Sequence, residues 1–336
     1  MFCNAQDTEC PLVIINNNNL NEIDRREDPN RLRLMQYNVE WLFLDYNSAS
    51  DCPGNGCTWH NESEANIHLD HVFDVIDTIN PDIINFCEIE GCDELKVLQS
   101  MFDNGMYNPY LIQGSDTATG QNVGMLTKID PIYGLNRTEE KSIYPIDDSE
   151  CGYTGNPSHT GVSKHYMTEF NINGYKIALI SAHLIAYPTD ASRCAKREAQ
   201  ASILQSAIMN YTNKGFEIVM MGDFNDYDGE VKDMNNHTPT SKVLNILKGH
   251  DGEYANQYEL HSVAEYLKQA QRFSEWFDSD NNCNTSSRSD YSMIDHILVS
   301  PKLQDIIKSV NIYHGYREYC GKYDSDHYPV IVDFQF

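Results

Sequence analysis

The stretch FEIVMMGDFND, at Phe216–Asp226, constrains the fold more than any other part of the chain. Its first half, Glu217–Met221, is largely apolar and partly β-branched, which predicts a strand buried on both faces. Gly222 then allows a tight turn, and Asp223 and Asn225 follow it. Such a strand places a carboxylate and an amide at the carboxyl edge of a sheet, where open α/β sheets hold their ligands. For this stretch alone, an ordinary strand followed by an Asx turn is an equal alternative.

The composition is that of a folded protein with a substantial apolar core. The 336 residues are 40% hydrophobic, which suits one large domain or two ordinary ones. No apolar run approaches the roughly 20 residues that span a bilayer, so we expect no stable membrane insertion. The formal net charge of −26 argues against a generic polyanion binder held by long-range attraction. A phosphate-processing site remains open, because a bound divalent metal reverses the local sign of the charge.

Ten cysteines and five N-glycosylation sequons together favour a secreted protein with several disulfides. Closeness in sequence favours the pairs Cys3–Cys10 and Cys52–Cys57. The N-terminal MFCNAQDTEC does not resemble a signal peptide, so we expect a mature form behind a start Met. The alternative is a cytosolic protein with reduced thiols and chance sequons. The sequons are at Asn61, Asn136, Asn210, Asn236 and Asn284.

Strand-like and helix-like patterns alternate along the chain after a polar, Asn-rich leader at residues 1–30. We expect residues 31–336 to form a single domain, since no low-complexity linker divides them. The Gly/Ser/Pro-rich loop Asp147–Lys164 is long enough to suggest a functional role. Besides the stretch above, strands are predicted at Arg31–Leu44, Ile83–Cys87, Asn122–Leu126, Tyr175–Ala182, Ile294–Val299, Val310–His314 and Val330–Phe334. Helices are predicted at Glu64–Ile79, Glu94–Met101, Ser192–Tyr211, Thr240–Lys248 and Leu260–Phe273.

Acids, amides and histidines recur at the ends of the predicted strands. Each is ordinary by itself, but a shared position at strand edges indicates one site. The set is Asn38, Glu40, Glu88, His183, Asp223, Asn225, Asp295, Asp326 and His327.

These residues lie in the motifs YNVE, PDIINFCE, SAHL, GDFND, IDHILVS and SDHYPV, which follow one another between residue 31 and the C-terminus. In this order the motifs resemble the endonuclease/exonuclease/phosphatase family, which includes DNase I, exonuclease III and the neutral sphingomyelinases. The resemblance implies an α/β fold of the DNase I-like kind. This fold is a four-layer α/β sandwich, in which helices flank two packed mixed sheets. It also implies metal-dependent hydrolysis of phosphate esters.

The resemblance carries roles onto the matching residues. Asp223 would orient or deprotonate the attacking water, Asn225 and His183 would donate to the phosphate, and His327 would contact the phosphate or transfer a proton. Asp295 would fix the ring of His327. The implied metal is Mg²⁺ or Mn²⁺, with Ca²⁺ as an additional structural ion. Its predicted ligands are Asn38, Glu40, Glu88 and Asp326, and the predicted substrate-binding residues are Asn122 and Lys164.

Two departures from DNase I-like members affect the expected grip on duplex DNA. Glu90 stands where such members carry a basic residue, and Gln121 and Asn122 stand near the place of an acidic partner for the first histidine. The leading hypothesis is a secreted, monomeric nuclease that acts on DNA rather than RNA. The alternatives are a sphingomyelinase-type phospholipase C on the same scaffold and an inactive binding member of the family.

Overall fold

Helices lie outside two central sheets. A computed structural model describes residues 10, 24–44, 59, 61–103, 105–278, 282–284, 287–316 and 323–336. Within these ranges, no helix combines the length and the apolarity that crossing a bilayer requires. The α-helices are α1 (Glu62–Ile79), α2 (Cys92–Ser100), α3 (Ala191–Asn213), α4 (Val243–Lys248) and α5 (Pro301–Gln304). Short 3-10 helices cover Val263–Tyr266, Gln269–Gln271 and Arg288–Asp290.

The strands form two large mixed sheets and two small hairpins. In chain order they are β1 (Arg31–Leu42), β2 (Ile83–Ile89), β3 (Asn108–Leu111), β4 (Asn122–Thr127), β5 (Ser142–Tyr144), β6 (Ser158–Thr160), β7 (Lys164–Ile172), β8 (Tyr175–His183), β9 (Glu217–Asp223), β10 (His261–Ser262), β11 (Glu275–Trp276), β12 (Tyr291–Ser292), β13 (Asp295–Val299), β14 (Ile307–Ile312) and β15 (Val330–Gln335). The six-stranded sheet has the order β14–β15–β1–β2–β4–β3, and the five-stranded sheet has the order β10–β13–β9–β8–β7. The hairpins pair β5 with β6 and β11 with β12.

Apolar side chains from both large sheets fill the space between them. Leu34 and Met125 of the six-stranded sheet belong to the same buried cluster as Leu179 and Met221 of the five-stranded sheet. A second cluster packs α1 and α2 against the outer face of the six-stranded sheet, and a third packs α3 and α4 against the other sheet. Each fully buried aliphatic side chain stabilises the fold by about 1.5–3 kcal/mol. The resulting α/β/β/α layers confirm the predicted four-layer sandwich.

The helix α1 returns the chain so that β2 runs parallel to β1. It begins after Asn61, whose side-chain oxygen accepts a hydrogen bond from the amide of Glu64 at 3.1 Å, which satisfies an otherwise unpaired donor. It ends at Asn80, which has a left-handed backbone with φ of 51°, ahead of Pro81. In the parallel pairing, Asn38 lies opposite Cys87. The crossover therefore brings the carboxyl ends of β1 and β2 to the same edge.

Gly222 is required by the close approach of β8 to β9. Its φ is 154°, and a Cβ atom built at this position would lie 1.9 Å from the carbonyl oxygen of Ala182. The next residue pair in the register is His183 opposite Asp223. A larger side chain at position 222 would separate the two strands at the point where these polar residues meet.

Several elements differ from the sequence-based expectations. The helix predicted at Leu260–Phe273 is wrong, because this segment forms β10 and two short 3-10 helices. The buried Leu260, Val263 and Leu267 produce the helical spacing while following the edge of the sheet. The strands β3 and β7 were not predicted, and β7 pairs with β8 over nine residues. The predicted loop Asp147–Lys164 contains β6 and ends where β7 begins.

The disulfides join distant segments. Cys10 pairs with Cys92, and Cys151 pairs with Cys194, so the predicted pair Cys3–Cys10 is wrong. Cys10 lies against the edge strand β3, where it exchanges two backbone hydrogen bonds with Leu111, and this position brings it to the start of α2. Cys283 is also disulfide-bonded, and Cys87 is the free, buried cysteine of the described residues. The predicted pair Cys52–Cys57 lies outside the described residues.

Loss of the bond between Cys151 and Cys194 should destabilise the protein. The bond spans 43 residues, so closing this loop reduces the free energy of the folded state relative to the unfolded chain by up to about 4 kcal/mol. The double variant Cys151→Ala/Cys194→Ala should therefore unfold at lower guanidinium concentration. The Cys87→Ser variant is the control for cysteine loss without disulfide loss. An unchanged midpoint in the double variant would contradict the bond.

Candidate active site

Four polar residues form a row across one end of the five-stranded sheet. In its register, Asp295 of β13 faces Asp223 of β9, Asp223 faces His183 of β8, and His183 faces Lys164 of β7. Neighbouring strands lie about 4.8 Å apart, so adjacent members of the row are close enough to interact. All four residues are buried, with exposed fractions of 8% or less. The sequence placed His183, Asp223 and Asp295 at strand boundaries, and the strand register brings all four residues together.

The six-stranded sheet contributes its acidic residues from bulges. The φ angles of Glu40, Trp41 and Glu88 are 48°, 56° and 69°, a left-handed range that is uncommon outside glycine. The pairing shifts between Asn38 and Leu42 in β1 and again beside Glu88 in β2. Bulges of this kind redirect side chains near functional sites. Here the bulge in β2 brings Glu88 Oε1 to 3.8 Å from His183 Nε2 of the other sheet.

Asn38 joins the residues of the two sheets. Its Nδ2 atom lies 3.2 Å from Glu88 Oε1, 3.1 Å from Asp223 Oδ2 and 3.4 Å from His327 Nε2. Its Oδ1 atom accepts a hydrogen bond from the amide of Glu40 at 3.0 Å. The Asn38 amide nitrogen therefore orients the carboxylates, and its oxygen stabilises the bulge.

His327 and Asp295 form a buried pair. His327 Nδ1 lies 2.7 Å from Asp295 Oδ2, and Gln36 Nε2 donates to the other oxygen of Asp295 at 3.2 Å. Burial disfavours charge on the His327 ring, but Asp295, Asp326 and Asp223 raise its pKa well above the ordinary value. The imidazolium form of His327 is therefore favoured at neutral pH.

Asp223 lies between like charges and a cation. Burial and the neighbouring Asp295 raise its pKa well above the ordinary value, while His327 opposes the shift. Its Oδ1 atom accepts a hydrogen bond from the amide of Asn225 at 2.9 Å. Asn225 has a left-handed φ of 51°, and its Nδ2 atom donates to the carbonyl of Leu184 at 3.2 Å. The turn after β9 thus holds Asp223 in one orientation.

His183 has the opposite tendency to His327. Burial, together with the positive charges of Lys164 and His327, lowers the pKa of His183 well below its ordinary value. Its Nε2 atom faces Asp223 Oδ2 at 3.5 Å, and its buried Nδ1 atom makes no hydrogen bond. A neutral imidazole and an imidazolium therefore lie on either side of Asp223. Titratable groups whose environments separate their pKa values are typical of acid–base sites.

The carboxylates at this edge suit a hard divalent cation. Glu40 Oε2 accepts a hydrogen bond from the amide of Asp326 at 2.9 Å, and Glu88 Oε2 accepts one from the amide of Trp41 at 3.2 Å. The Glu88 and Asp326 side chains are 14% and 30% exposed, which leaves room for water ligands. Carboxylate oxygens combined with water are the ligands that Mg²⁺ and Mn²⁺ prefer.

A second group, formed by Asp223, Asp295 and His327, brings possible ligand atoms within 4.8 Å of one another. In this group His327 Nδ1 is already bonded to Asp295. Glu40, Glu88 and Asp326 offer oxygen donors alone, which is the donor type that such a cation prefers.

The two residues predicted to bind substrate differ in their surroundings. Asn122 is engaged with the backbone, since its Oδ1 atom accepts from Gly114 and its Nδ2 atom donates to Glu90 at 2.7 Å and Gly120 at 3.1 Å. Lys164 belongs to the row, and its Nζ atom donates to Gln121 Oε1 at 3.0 Å. Asn122 thus shapes a loop, whereas Lys164 brings a positive charge beside His183.

Glu275 is a site residue that the sequence did not reveal. It forms a β-bridge with His327, and its side chain accepts a hydrogen bond from Ser292. Burial raises the pKa of Glu275, and the positive charge of His327 opposes that shift. Its two-residue strand shows no alternating pattern, so only the tertiary contact identifies it.

Solved structures with the same fold share little sequence with this chain. D. rerio TDP2, complexed with a single strand DNA product, aligns with a TM-score of 0.54 at 15% identity and covers 91% of this chain and 99% of that one. A family protein from Leptotrichia buccalis gives 0.55 at 14% identity, with 91% and 100% covered. The Bacteroides thetaiotaomicron mannosyl-6-phosphatase gives 0.50 at 17% identity, also with 91% and 100% covered. At these identities the likeness concerns the fold alone.

No curated protein sequence matches the chain significantly. A family profile, described as the Endonuclease/Exonuclease/phosphatase family, matches residues 35–327. This range includes every residue of the site described above. The chain therefore belongs to the Endonuclease/Exonuclease/phosphatase family, as its ordered motifs and its four-layer sandwich indicate.

Proposed function

We propose that the protein is a divalent-metal-dependent phosphodiesterase that cleaves nucleic acid, with DNA as its substrate. The observation that carries this proposal is the convergence of Asp223 with two histidines: His183 Nε2 lies 3.5 Å from Asp223 Oδ2, and side-chain atoms of Asp223 and His327 lie within 4.8 Å of each other. The lowered pKa of His183 leaves a neutral ring that can donate an N–H hydrogen bond to a phosphate oxygen, while the raised pKa of His327 suits it to donate a proton or to bind a phosphate oxygen. An inactive binding member of the family would have no need to hold these buried charges together.

Glu88, Glu40 and Asp326 would hold the metal, and Asn38 would orient Glu88. A bound Mg²⁺ or Mn²⁺ would neutralise the charge of the phosphate and polarise its oxygens. The remaining chemistry belongs to the side chains of the row and the turn.

Asp223 accepts a proton from the attacking water and orients it. Its orientation suits this task, because hydrogen bonds from the Asn225 amide and from Asn38 Nδ2 hold the two carboxylate oxygens in place. Asn225 and His183 donate hydrogen bonds to non-bridging phosphate oxygens, where negative charge develops. His327, fixed by Asp295, contacts the phosphate or donates a proton towards the leaving oxygen.

The substrate class is supported by the surroundings of the site. Lys164 lies beside His183 in the sheet register, and its positive charge acts on His183 although Asp116 Oδ2 lies 3.8 Å from its Nζ atom. The single strand DNA product bound to the D. rerio protein shows that this fold accommodates a nucleic acid strand in that relative. We also propose that the protein acts outside the reducing cytoplasm, since two disulfides and the bonded Cys283 suit an oxidising compartment.

Removal of the metal should abolish hydrolysis. EDTA is expected to stop turnover, and excess Mg²⁺ or Mn²⁺ should restore it, because no cation of the row replaces the metal at the carboxylates. The substrates to compare are single-stranded DNA, plasmid DNA, RNA, sphingomyelin and mannose 6-phosphate. Undiminished turnover in EDTA would refute metal dependence. Hydrolysis of sphingomyelin or mannose 6-phosphate in place of the nucleic acids would refute the substrate class.

Substitutions of Asp223 and His327 should separate an effect on the rate of hydrolysis from an effect on stability. Asp223→Asn and His327→Ala should each lower kcat by about 100-fold or more, the scale of a general acid or base. Asp223→Asn should melt at or slightly above the wild type in EDTA, because it relieves repulsion with Asp295. His261→Ala is the control, since His261 lies on β10 and pairs with Val299, at the end of β13 that is farther from Asp295. Near-normal kcat in both the Asp223→Asn and the His327→Ala variant would place the active site elsewhere.

The pH profile should report the pair His327–Asp295. Hydrolysis needs protonated His327. Because the pKa of His327 is raised, its ring stays protonated at pH values above the ordinary pKa of 6.5. Activity should therefore persist above pH 6.5 and fall only as pH passes the raised pKa. Asp295→Asn removes the carboxylate that does most to raise this pKa, so the alkaline limb of kcat/KM should move to lower pH. An unmoved alkaline limb would show that His327 is not the group that titrates.

A further inference from the structure

The two most exposed large hydrophobic side chains of the described residues lie within four residues of site residues along the chain. Tyr187 is 62% exposed and Phe277 is 58% exposed. Tyr187 lies four residues after His183, and Phe277 lies two residues after Glu275, the bridge partner of His327. His183 and Asp295, the partner of His327, lie on opposite sides of Asp223 in the row. The two aromatic side chains therefore belong to segments that leave the site from the His183 strand and from the bridge partner of His327.

The loop that carries Tyr187 is fixed by hydrogen bonds from a buried guanidinium group. Arg197, which is fully buried, donates hydrogen bonds to the carbonyls of Ile185 at 3.2 Å, Tyr187 at 3.1 Å and Pro188 at 2.9 Å. Its Nη2 atom lies 3.6 Å from Asp226 in the turn after β9. Tyr187 itself has a left-handed φ of 68°. An exposed ring on such a fixed, strained backbone loses little entropy when it binds a ligand.

A cation lies over the ring of Tyr187. The guanidinium carbon of Arg193 is 4.3 Å from the ring centroid, within the range of cation–π attraction. The ring nevertheless keeps 62% of its surface in solvent. Arg193 therefore orients the ring and adds a positive charge, while leaving surface for a stacking partner.

The segment that carries Phe277 is fixed against the His327 side of the site. The amide of Trp276 donates to the carbonyl of Asp326 at 2.8 Å, and the amide of Phe277 donates to the carbonyl of Asp290 at 2.8 Å. Phe277 is thus one residue beyond the strand that runs beside Asp326 and His327.

We propose that Tyr187 and Phe277 stack on unpaired bases on either side of the cleaved linkage, so that the preferred substrate is single-stranded nucleic acid. This inference rests on the proposed function and narrows its substrate class. Every base offers a flat π face, so stacking needs no particular sequence. In a chain with net charge −26, stacking supplies affinity that long-range attraction to phosphates does not.

A lipid surface is the other partner that exposed aromatic rings suit, and the local chemistry disfavours it. Tyr187 carries a guanidinium on its ring, and Phe277 is followed by Asp278 and further polar residues. Insertion into a membrane would bring these charged groups into the apolar phase at high cost.

The test measures the binding of fluorescent 12-nucleotide strands in Mg²⁺ by fluorescence anisotropy. Every protein in the test also carries Asp223→Asn, which prevents cleavage. An oligothymidine strand should bind more tightly than an abasic strand of equal length and equal charge. Tyr187→Ala and Phe277→Ala should each weaken oligothymidine binding by about tenfold, within the range found for removal of one stacked base.

Tyr187→Trp should bind at least as tightly as the parent, which shows that the loop tolerates substitution. Tyr266→Ala is the matched control, since Tyr266 is 50% exposed and lies beside β10, away from the row.

The outcomes separate this inference from the proposed function. Equal affinity for the thymidine and abasic strands, or unchanged binding by both alanine variants, would overturn the stacking inference even if the wild type cleaves DNA. Tight, Tyr187-dependent binding without any cleavage by the wild type would support stacking and refute the hydrolase. Association with sphingomyelin–phosphatidylcholine vesicles that is lost in Phe277→Ala would replace the nucleic acid with a lipid surface.

Discussion

The structure depends on two carboxylates that meet inside it. Asp223 and Asp295 face each other on adjacent strands and are almost fully buried, an arrangement that costs free energy unless other groups compensate. Two groups offset this cost: His327 bonds to Asp295, and Asn38 of the six-stranded sheet donates a hydrogen bond to Asp223. Further inside, Tyr166 donates to Asn85, Asn85 donates to Gln36, and Gln36 donates to Asp295. A satisfied polar network of this kind specifies one mutual position of the two sheets, which purely apolar packing would leave less defined.

Much of this arrangement was accessible from the sequence, because the site uses strand ends. Apolar runs that stop at Glu88, His183 and Asp223 indicate both the strand and the edge that its polar residue occupies. A parallel crossover such as β1–α1–β2 then requires the edges to coincide. The helices α1 and α3 were also predictable, since their apolar spacing continues over many turns and each begins at a side-chain cap, Asn61 or Asp190.

The remainder depends on contacts between distant segments. The left-handed φ of Glu88 and Glu40 arises from strand pairing on both sides of each bulge, and no local residue preference signals it. Glu275 acquires its importance from a bridge to a residue 52 positions later. Similarly, Cys10 pairs with Cys92 because the edge strand β3 receives the N-terminal segment. In short elements, such as those around Leu260, the apolar residues repeat too few times to distinguish a helix from successive turns.

Asn38 has a consequence for the order of events during folding. Its contact with His327 joins residues separated by 289 positions, and its contact with Asp223 joins residues separated by 185. Contacts of such long range form slowly, because the chain must close large loops before it gains their energy. The site is therefore complete only when both sheets have docked, and a partly folded chain lacks the contacts that join Asp223, Asn38 and His327.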